Sequence, residues 1–437
     1  MRFLERDAAA SLVLFLQIGA VEGGSAESRE RWQRTQLQNL LRHASERSSF
    51  WRQRLGAEQI EDAPLSSLPV LTRSEVREQV EKEGSLLTLD DGIATAINTT
   101  SGSSGTPAQF YTSQMNQTYY GIRSGAQFLF EGLDLTQPRT QLKLNSFLSP
   151  GAIKVAVDDS WMGQLSEHVA CGKYRVIDYH PQIGRNLVDE LLEGEIGYLV
   201  APPWTLDVVL QHVSIDRLKT AGLRLWMAFG GNVDIELRSK FDSVGIPIRA
   251  NYSSEEFGII AVECSLNPDH YHVATSNVIV EVVKDGIDLV ENDEAGFILV
   301  THLHSYATPF VRYDIGDVGQ LWTKCRCGHN GPTLSQIFGR QKQLLSHPDG
   351  KLSHFQIRAA AITGIVKCDE FRIRQTALDT LVVEIGGRQA LDHKEVADLR
   401  AFLKRYAGER FDIEIHPVAE IDWGSSRKRL GFRNELL

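Results

Sequence analysis

The chain has 437 residues, more than one ordinary hydrophobic core serves, so two or more domains are expected. Its 42% hydrophobic and 23% charged residues are those of a globular protein. The net charge of −10 argues against a nucleic-acid surface, which needs a clustered basic face. Five cysteines, an odd number in a long chain, do not make a disulfide framework and fit a reducing cytoplasm.

The first 80 residues read as helical. Residues 8–21 are apolar but shorter than the roughly 20 residues of a membrane span. Glu5, Arg6 and Asp7 precede them, not the basic start of a signal peptide. A helix buried or facing a partner is expected there. Residues 29–48 set Trp32, Leu37, Leu40 and Leu41 among charges, an amphipathic pattern. Pro69 and Thr72-Arg73-Ser74-Glu75 predict a turn and a capped helix start.

A short strand is expected at 93–97, and apolar structure resumes at Phe110-Tyr111. Between them, residues 99–107 read Thr-Thr-Ser-Gly-Ser-Ser-Gly-Thr-Pro, with no side chain able to join a core. Gly102 and Gly105 allow positive φ and close approach to a ligand. Thr100, Ser101, Ser103, Ser104 and Thr106 supply hydroxyls, and the backbone N–H groups can form an anion-holding nest. A polyphosphate-gripping loop accounts for this better than a Ser/Gly linker. It is neither a Walker loop, lacking the lysine, nor a three-glycine Rossmann turn.

From 93 to 335 strand-like runs (197–201, 223–228, 246–250, 278–283) alternate with helical ones (205–212, 234–243). That alternation predicts α/β layering with a substantial parallel component. Gly230-Gly231-Asn232 ends one strand, and Asn251-Tyr252-Ser253-Ser254-Glu255-Glu256-Phe257-Gly258 ends another, where ligands gather in open α/β sheets. Tyr313-Asp314-Ile315-Gly316-Asp317 and Phe338-Gly339-Arg340-Gln341-Lys342 follow. Beyond Arg340 the character changes: strands at 371–374, 380–385 and 411–415 and a helix at 393–406 predict a small α+β unit.

These motifs, in this order, resemble those of the adenylate-forming enzymes, the acyl-CoA synthetase and adenylation superfamily, across nearly the whole chain. Length, the helical start with Phe50-Trp51-Arg52 and the cysteine pattern lie nearest the phenylacetate-CoA ligase-like and capsular-biosynthesis-like branch. The resemblance implies a large multi-subdomain N-terminal α/β domain (1–338, with a helical start over 1–90). A small mobile α+β C-terminal domain (339–437) follows on a hinge. It makes Thr100–Thr106 the phosphate loop, places Gly230 and Gly231 beside adenine, stacks Tyr252 on the ring with Ser253, Ser254 and Glu255 adjacent, and gives Glu256 to Mg²⁺. Asp317 would accept the ribose hydroxyls, Arg340 would approach the nucleotide, and Lys342 would be the pivot. Ser253, Glu255 and Asn232 depart from the usual Gly, Thr and acid.

The activity implied is ATP-dependent attack of a carboxylate on the α-phosphorus, then transfer of the acyl group to a thiol, usually coenzyme A. The enzyme's task is alignment and charge neutralisation. The small domain's bridging lysine aligns with Lys428 in Ser425-Ser426-Arg427-Lys428-Arg429; an alternative alignment puts Ser426 there instead. The acyl pocket is expected at Trp204, Trp226 and Phe229 with Phe128, which suits an aryl or compact hydrophobic acid. Amide formation with an amine, or a non-catalytic nucleotide-binding homologue, are the competing readings. A homodimer is among the partners left open.

Cys264, His270-Tyr271-His272 and Cys325-Arg326-Cys327-Gly328 carry a separate signal. Three thiolates and one imidazole satisfy tetrahedral zinc, with His272 preferred over His270. With no open position such an ion would be structural. Cys171 and Cys368 read as ordinary small apolar residues.

Overall fold

The computed structural model describes residues 6–56, 63–83, 94–99, 109–145, 147–166, 169–180, 185–233, 235–284, 288–289, 294–340, 344–349, 351–355, 357, 359–368, 370–423 and 431–437. The phosphate-loop residues Thr100–Thr106, the pivot Lys342 and the basic run with Ser426 and Lys428 lie outside the described residues, as does the side chain of Arg340.

Helices α1 (Arg6–Glu22), α2 (Ala26–Arg47), α3 (Ser49–Leu55) and α4 (Arg73–Glu83) form the start. The expected cap at Thr72 is present: Glu75 N–H donates to Thr72 Oγ1 at 3.3 Å and Thr72 N–H to Glu75 Oε2 at 2.8 Å. On α1, Ile18 is buried while Val13 and Leu16 are exposed. No described helix is long and apolar enough to cross a membrane.

A hairpin of β1 (Ala94–Thr99) and β2 (Gln109–Ser113) is followed by α5 (Gln114–Phe130), whose N-terminus is closed by a Ser113–Asn116 capping box. The layered part then runs β3 (Arg139–Leu144), β4 (Ile153–Asp158), β5 (Tyr174–Tyr179), α6 (Arg185–Leu192), β6 (Gly197–Ala201), α7 (Pro203–Leu210), α8 (Ile215–Thr220), β7 (Leu223–Phe229), α9 (Ile235–Ser243) and β8 (Ile248–Ser254). Here β5, β3, β6, β7 and β8 are parallel neighbours. Their C-terminal ends carry the segments that the sequence marks as ligand-bearing.

From β8 the sheet changes character. β9 (Gly258–Glu263), β10 (His270–Val273), β11 (Val278–Lys284), β12 (Asp288–Leu289), β13 (Gly296–His302), β14 (Tyr313–Trp322) and β15 (Thr333–Arg340) all pair antiparallel. The strand expected at 278–283 is thus β11, an antiparallel member; short connections without crossover helices dictate this. One 13-stranded sheet results, in the order β12-β11-β13-β14-β15-β10-β9-β8-β7-β6-β3-β5-β4.

The C-terminal region comprises β16 (Leu344–Ser346), β17 (Leu352–His354), α10 (Ala359–Ile365), β18 (Glu370–Ala377), β19 (Thr380–Gly386), α11 (His393–Ala407), β20 (Asp412–Val418) and β21 (Phe432–Asn434). Its four-stranded sheet, β20-β19-β18-β21, has a core drawn wholly from residues 345–432. The fold is therefore a large mixed sheet with helices, followed by a smaller α+β region.

A buried polar web pins the N-terminal helices to the large sheet. The Ser276 carbonyl accepts from Trp32 Nε1 (3.0 Å) and Tyr119 OH (2.9 Å) and lies 3.1 Å from His304 Nε2. Glu22 on α1 holds buried Arg123 on α5 through two bonds of 2.8 and 2.9 Å. Breaking such a buried pair on one side leaves an uncompensated charge, at a cost of about 3–5 kcal/mol.

Candidate active site and metal centre

β8 ends the parallel run, and the turn at 255–257 sends the chain back along β9. Gly258, at φ +64, is required in that turn: a Cβ there would lie 2.4 Å from the Tyr120 ring. Tyr252 sits near the end of β8, and its hydroxyl donates to Asp317 Oδ2 at 2.8 Å. The two residues are 65 apart in sequence, yet they are the aromatic and the carboxylate assigned to adenine and ribose.

Asp317 is aimed by irregular backbone. The pairing of β13 with β14 shifts register between Phe297 and Leu299, so the segment 315–317 bulges. Gly316 takes φ +80, and its N–H donates to Asp314 Oδ1 at 2.8 Å. Just upstream, buried Arg312 donates through Nε to Glu281 at 3.1 Å and through Nη1 to the Ser66 and Leu68 carbonyls. The start of β14 is thereby held to β11 and to the N-terminal segment. Asp317 is opposite Arg340 across β14 and β15, which brings the backbone of the expected hinge beside the expected ribose ligand. Glu256 is nearly buried in the 255–257 turn.

Gly230, at φ +72, and Gly231 follow β7. A Cβ on either would meet the Trp204 indole, at 3.1 and 3.4 Å. Trp204, at the start of α7 and 46% exposed, thus lies against this glycine pair with much of its surface free. Phe229 is half-buried beside Met227 and Leu225. Trp226 is different. It is fully buried with Phe241 of α9, and its Nε1 donates to the Ala201 carbonyl at 2.8 Å. Residues three apart in a strand face opposite sides, so Trp226 and Phe229 cannot line one pocket. Trp226 is a core residue, which corrects its assignment to the acyl pocket. Phe128 is corrected likewise: it is buried against Trp161 and Tyr198.

On the far side of β9 the metal-type residues converge. The ligand atoms of Cys264, His272, Cys325 and Cys327 all lie within 4.8 Å of one another. Cys264 follows β9, His272 is in β10, and Cys325 and Cys327 come from the turn between β14 and β15. That turn closes with Gly328 N–H donating to the Cys325 carbonyl at 3.1 Å and Cys325 N–H to the His329 carbonyl at 3.0 Å. N–H groups point at the sulfurs: Leu266 to Cys264 Sγ at 3.4 Å, His329 to Cys327 Sγ at 3.4 Å, and the Asn267 amide to Cys264 and Cys325 at 3.7 Å each. Donors of this kind stabilise thiolates, as the surroundings of a metal require.

Burial pushes the His272 pKa down to about 4, with His329 and His270 adding to it, so its imidazole is neutral and able to donate a lone pair. His329 stacks on it at 4.1 Å between centroids. His270 instead sets Nδ1 3.3 Å from the Pro268 carbonyl, away from the cluster. Burial pushes Cys325 up to about 11. Burial also opposes ionisation of Cys264, but the Leu266 N–H and the Asn267 amide outweigh it and its pKa falls. One imidazole nitrogen and three sulfurs, with N–H donors pointed at the sulfurs, fit zinc.

Sequence reading missed the brace between the two sites. Glu263, buried at the end of β9, takes two bonds from Arg238 of α9 (2.8 and 3.3 Å), one from Ala250 N–H of β8 (3.0 Å) and one from Asp269 N–H (3.1 Å). It ties the strand bearing Tyr252 to the loop after Cys264. The signal was a lone acid closing the apolar run Gly258-Ile-Ile-Ala-Val-Glu263.

No family model matches the sequence, and no curated protein does. Solved structures match in fold. 2-Hydroxyisobutyryl-CoA ligase in the postadenylation state, in complex with R3-HIB-AMP, aligns with a TM-score of 0.66 at 16% identity, over 95% of this chain and 91% of that one. An open conformation of the same ligase with 2-HIB-AMP and CoA gives 0.61 at 16% identity, over 94% and 92%. O-Succinylbenzoate coenzyme A synthetase (MenE) from Bacillus subtilis, in complex with AMP, gives 0.50 at 16% identity, over 77% and 68%. The fold is that of the adenylate-forming acyl-CoA ligases. The 2-hydroxyisobutyryl-CoA ligase structures correspond to this one over more than nine-tenths of both chains.

Proposed function

We propose that this protein activates a carboxylic acid with ATP as an acyl-adenylate and transfers the acyl group to a thiol, coenzyme A by preference. The observation that carries the reading is the Tyr252–Asp317 contact at the C-terminal ends of the parallel strands, 2.8 Å long. Two motifs assigned to one nucleotide from sequence meet in space, in a fold whose solved examples hold acyl-AMP and CoA.

In this reading the Tyr252 ring stacks on adenine and Asp317 exchanges the tyrosine hydroxyl for the ribose hydroxyls when nucleotide binds. A carboxylate accepting two hydroxyls makes charge-assisted bonds worth about 1.5–3 kcal/mol each. Thr100–Thr106 cradle the phosphates, and Glu256 is the residue that would hold Mg²⁺, whose role is to neutralise the departing pyrophosphate. Lys428 bridges carboxylate and phosphate. The region from 339 onward turns about Lys342 between the two half-reactions, with Arg340 next to the nucleotide. Trp204, lying on Gly230-Gly231, and Phe229 offer the acid a flat apolar surface, which favours a compact or aryl acid. Cys264, His272, Cys325 and Cys327 would hold a structural zinc, which would tie the β9–β10 connection to the β14–β15 connection.

The test is pyrophosphate release with ATP, Mg²⁺ and a panel of small aliphatic and aryl acids, then acyl transfer to coenzyme A or to amines. Acid-dependent release followed by thioester formation supports the reading. Amide formation supports amine transfer instead. Nucleotide binding with no release for any acid supports a non-catalytic homologue.

A further inference from the structure

We propose that the chain self-associates through the free edge of β4, pairing antiparallel with a second copy about a two-fold axis at Ala156. β4 ends the 13-stranded sheet, and no described strand pairs with its outer edge. Residues Lys154, Val155, Ala156, Val157 and Asp158 are all exposed, Val155 by 38% and Val157 by 56%. An exposed strand edge is a template for another strand, and proteins block it or use it.

The backbone decides which registers are open. His180 N–H donates to the Ala152 carbonyl at 3.2 Å, so residues 152, 154, 156 and 158 turn their backbone groups toward β5. Ile153, Val155 and Val157 therefore present theirs outward. Two-fold pairing must match these outward residues with each other. An axis at Ala156 sets Val155 against Val157 of the second copy as a hydrogen-bonded pair. It also sets Lys154 against Asp158 in the closer, non-hydrogen-bonded position, twice by symmetry. An axis at Val155 would put Lys154 against Ala156, and one at Val157 would put it against Ser160. Only the Ala156 register pairs opposite charges.

The same row of charges is already alternating within the chain. Lys143 on β3 lies opposite Asp178 on β5, and Asp178 lies opposite Lys154 on β4. Asp158 of a second copy would extend the sequence plus, minus, plus by the minus it needs.

The test is sedimentation velocity of the 437-residue chain up to about 100 μM, where a micromolar dimer is largely formed. A concentration-dependent dimer is expected. Lys154→Asp or Asp158→Lys alone should weaken it by about tenfold or more, and the double exchange Lys154→Asp/Asp158→Lys should restore it. The restored double variant excludes misfolding as the cause of the single losses. A monomer throughout this range, or a dimer that neither single exchange weakens, overturns the proposal. None of these outcomes depends on ligase activity.

Discussion

The proposed nucleotide wall, on β8 and β14, and the Cys/His cluster, after β9, on β10 and after β14, are built in opposite ways. The cluster is chemically complete: four donors converge within 4.8 Å and are braced by backbone N–H groups. In the proposed wall Tyr252 and Asp317 are bonded to each other, and its remaining partners would come from the nucleotide. A closed site can be read from its own residues, whereas an open one is defined by what enters it. The first should govern stability and the second turnover, and substitutions can separate them.

The largest effect is expected at the cluster. Cys325→Ser should abolish stoichiometric zinc, read by elemental analysis. Because structural zinc contributes folding free energy outright, it should lower Tm by on the order of 10 °C. Full zinc retention would break the comparison from that side. Next comes Asp317→Ala, which would remove both proposed ribose bonds and should cut kcat/KM for adenylation by about 10²–10³. Its zinc content and Tm should stay near wild type. Tyr252→Phe keeps the ring and loses the 2.8 Å bond to Asp317, so a change within about tenfold is expected in the same assay.

A smaller effect is tied to pH. Burial pushes His302 down to about 3 and His304 to about 4, so both are neutral in the folded chain. Unfolded, they titrate near about 6.5, and between these values the unfolded state binds more protons. Their contribution is full above about pH 6.5 and is lost as pH falls toward about 4 for His304 and about 3 for His302. Urea midpoints should be level above neutrality and decline below it, with a shallower decline in His304→Gln.

Much of this was legible in the chain. The run 197–201 is β6 residue for residue, and the helix expected at 393–406 is α11 with one residue more. These segments have unbroken apolar patterns and clean boundaries. The residues singled out for a metal, with His272 preferred over His270, have ligand atoms within 4.8 Å of one another. What was not legible depended on facing. Trp226 and Phe229 are close in sequence, and only the strand's alternation separates core from surface. Glu263 stood out only as a lone acid, and its role was hidden because its partners, Arg238, Ala250 and Asp269, come from three separate segments. The switch from parallel to antiparallel after β8 was hidden because buried strands of either kind are similarly apolar.

The most direct measurement is acid-dependent exchange of radiolabelled pyrophosphate into ATP, run on the wild type and on Asp317→Ala. Exchange with at least one compact acid, reduced by about 10²–10³ in the variant while zinc content is unchanged, is the expected result. Exchange of equal rate in both proteins would contradict the assignment of Tyr252 and Asp317 to the nucleotide.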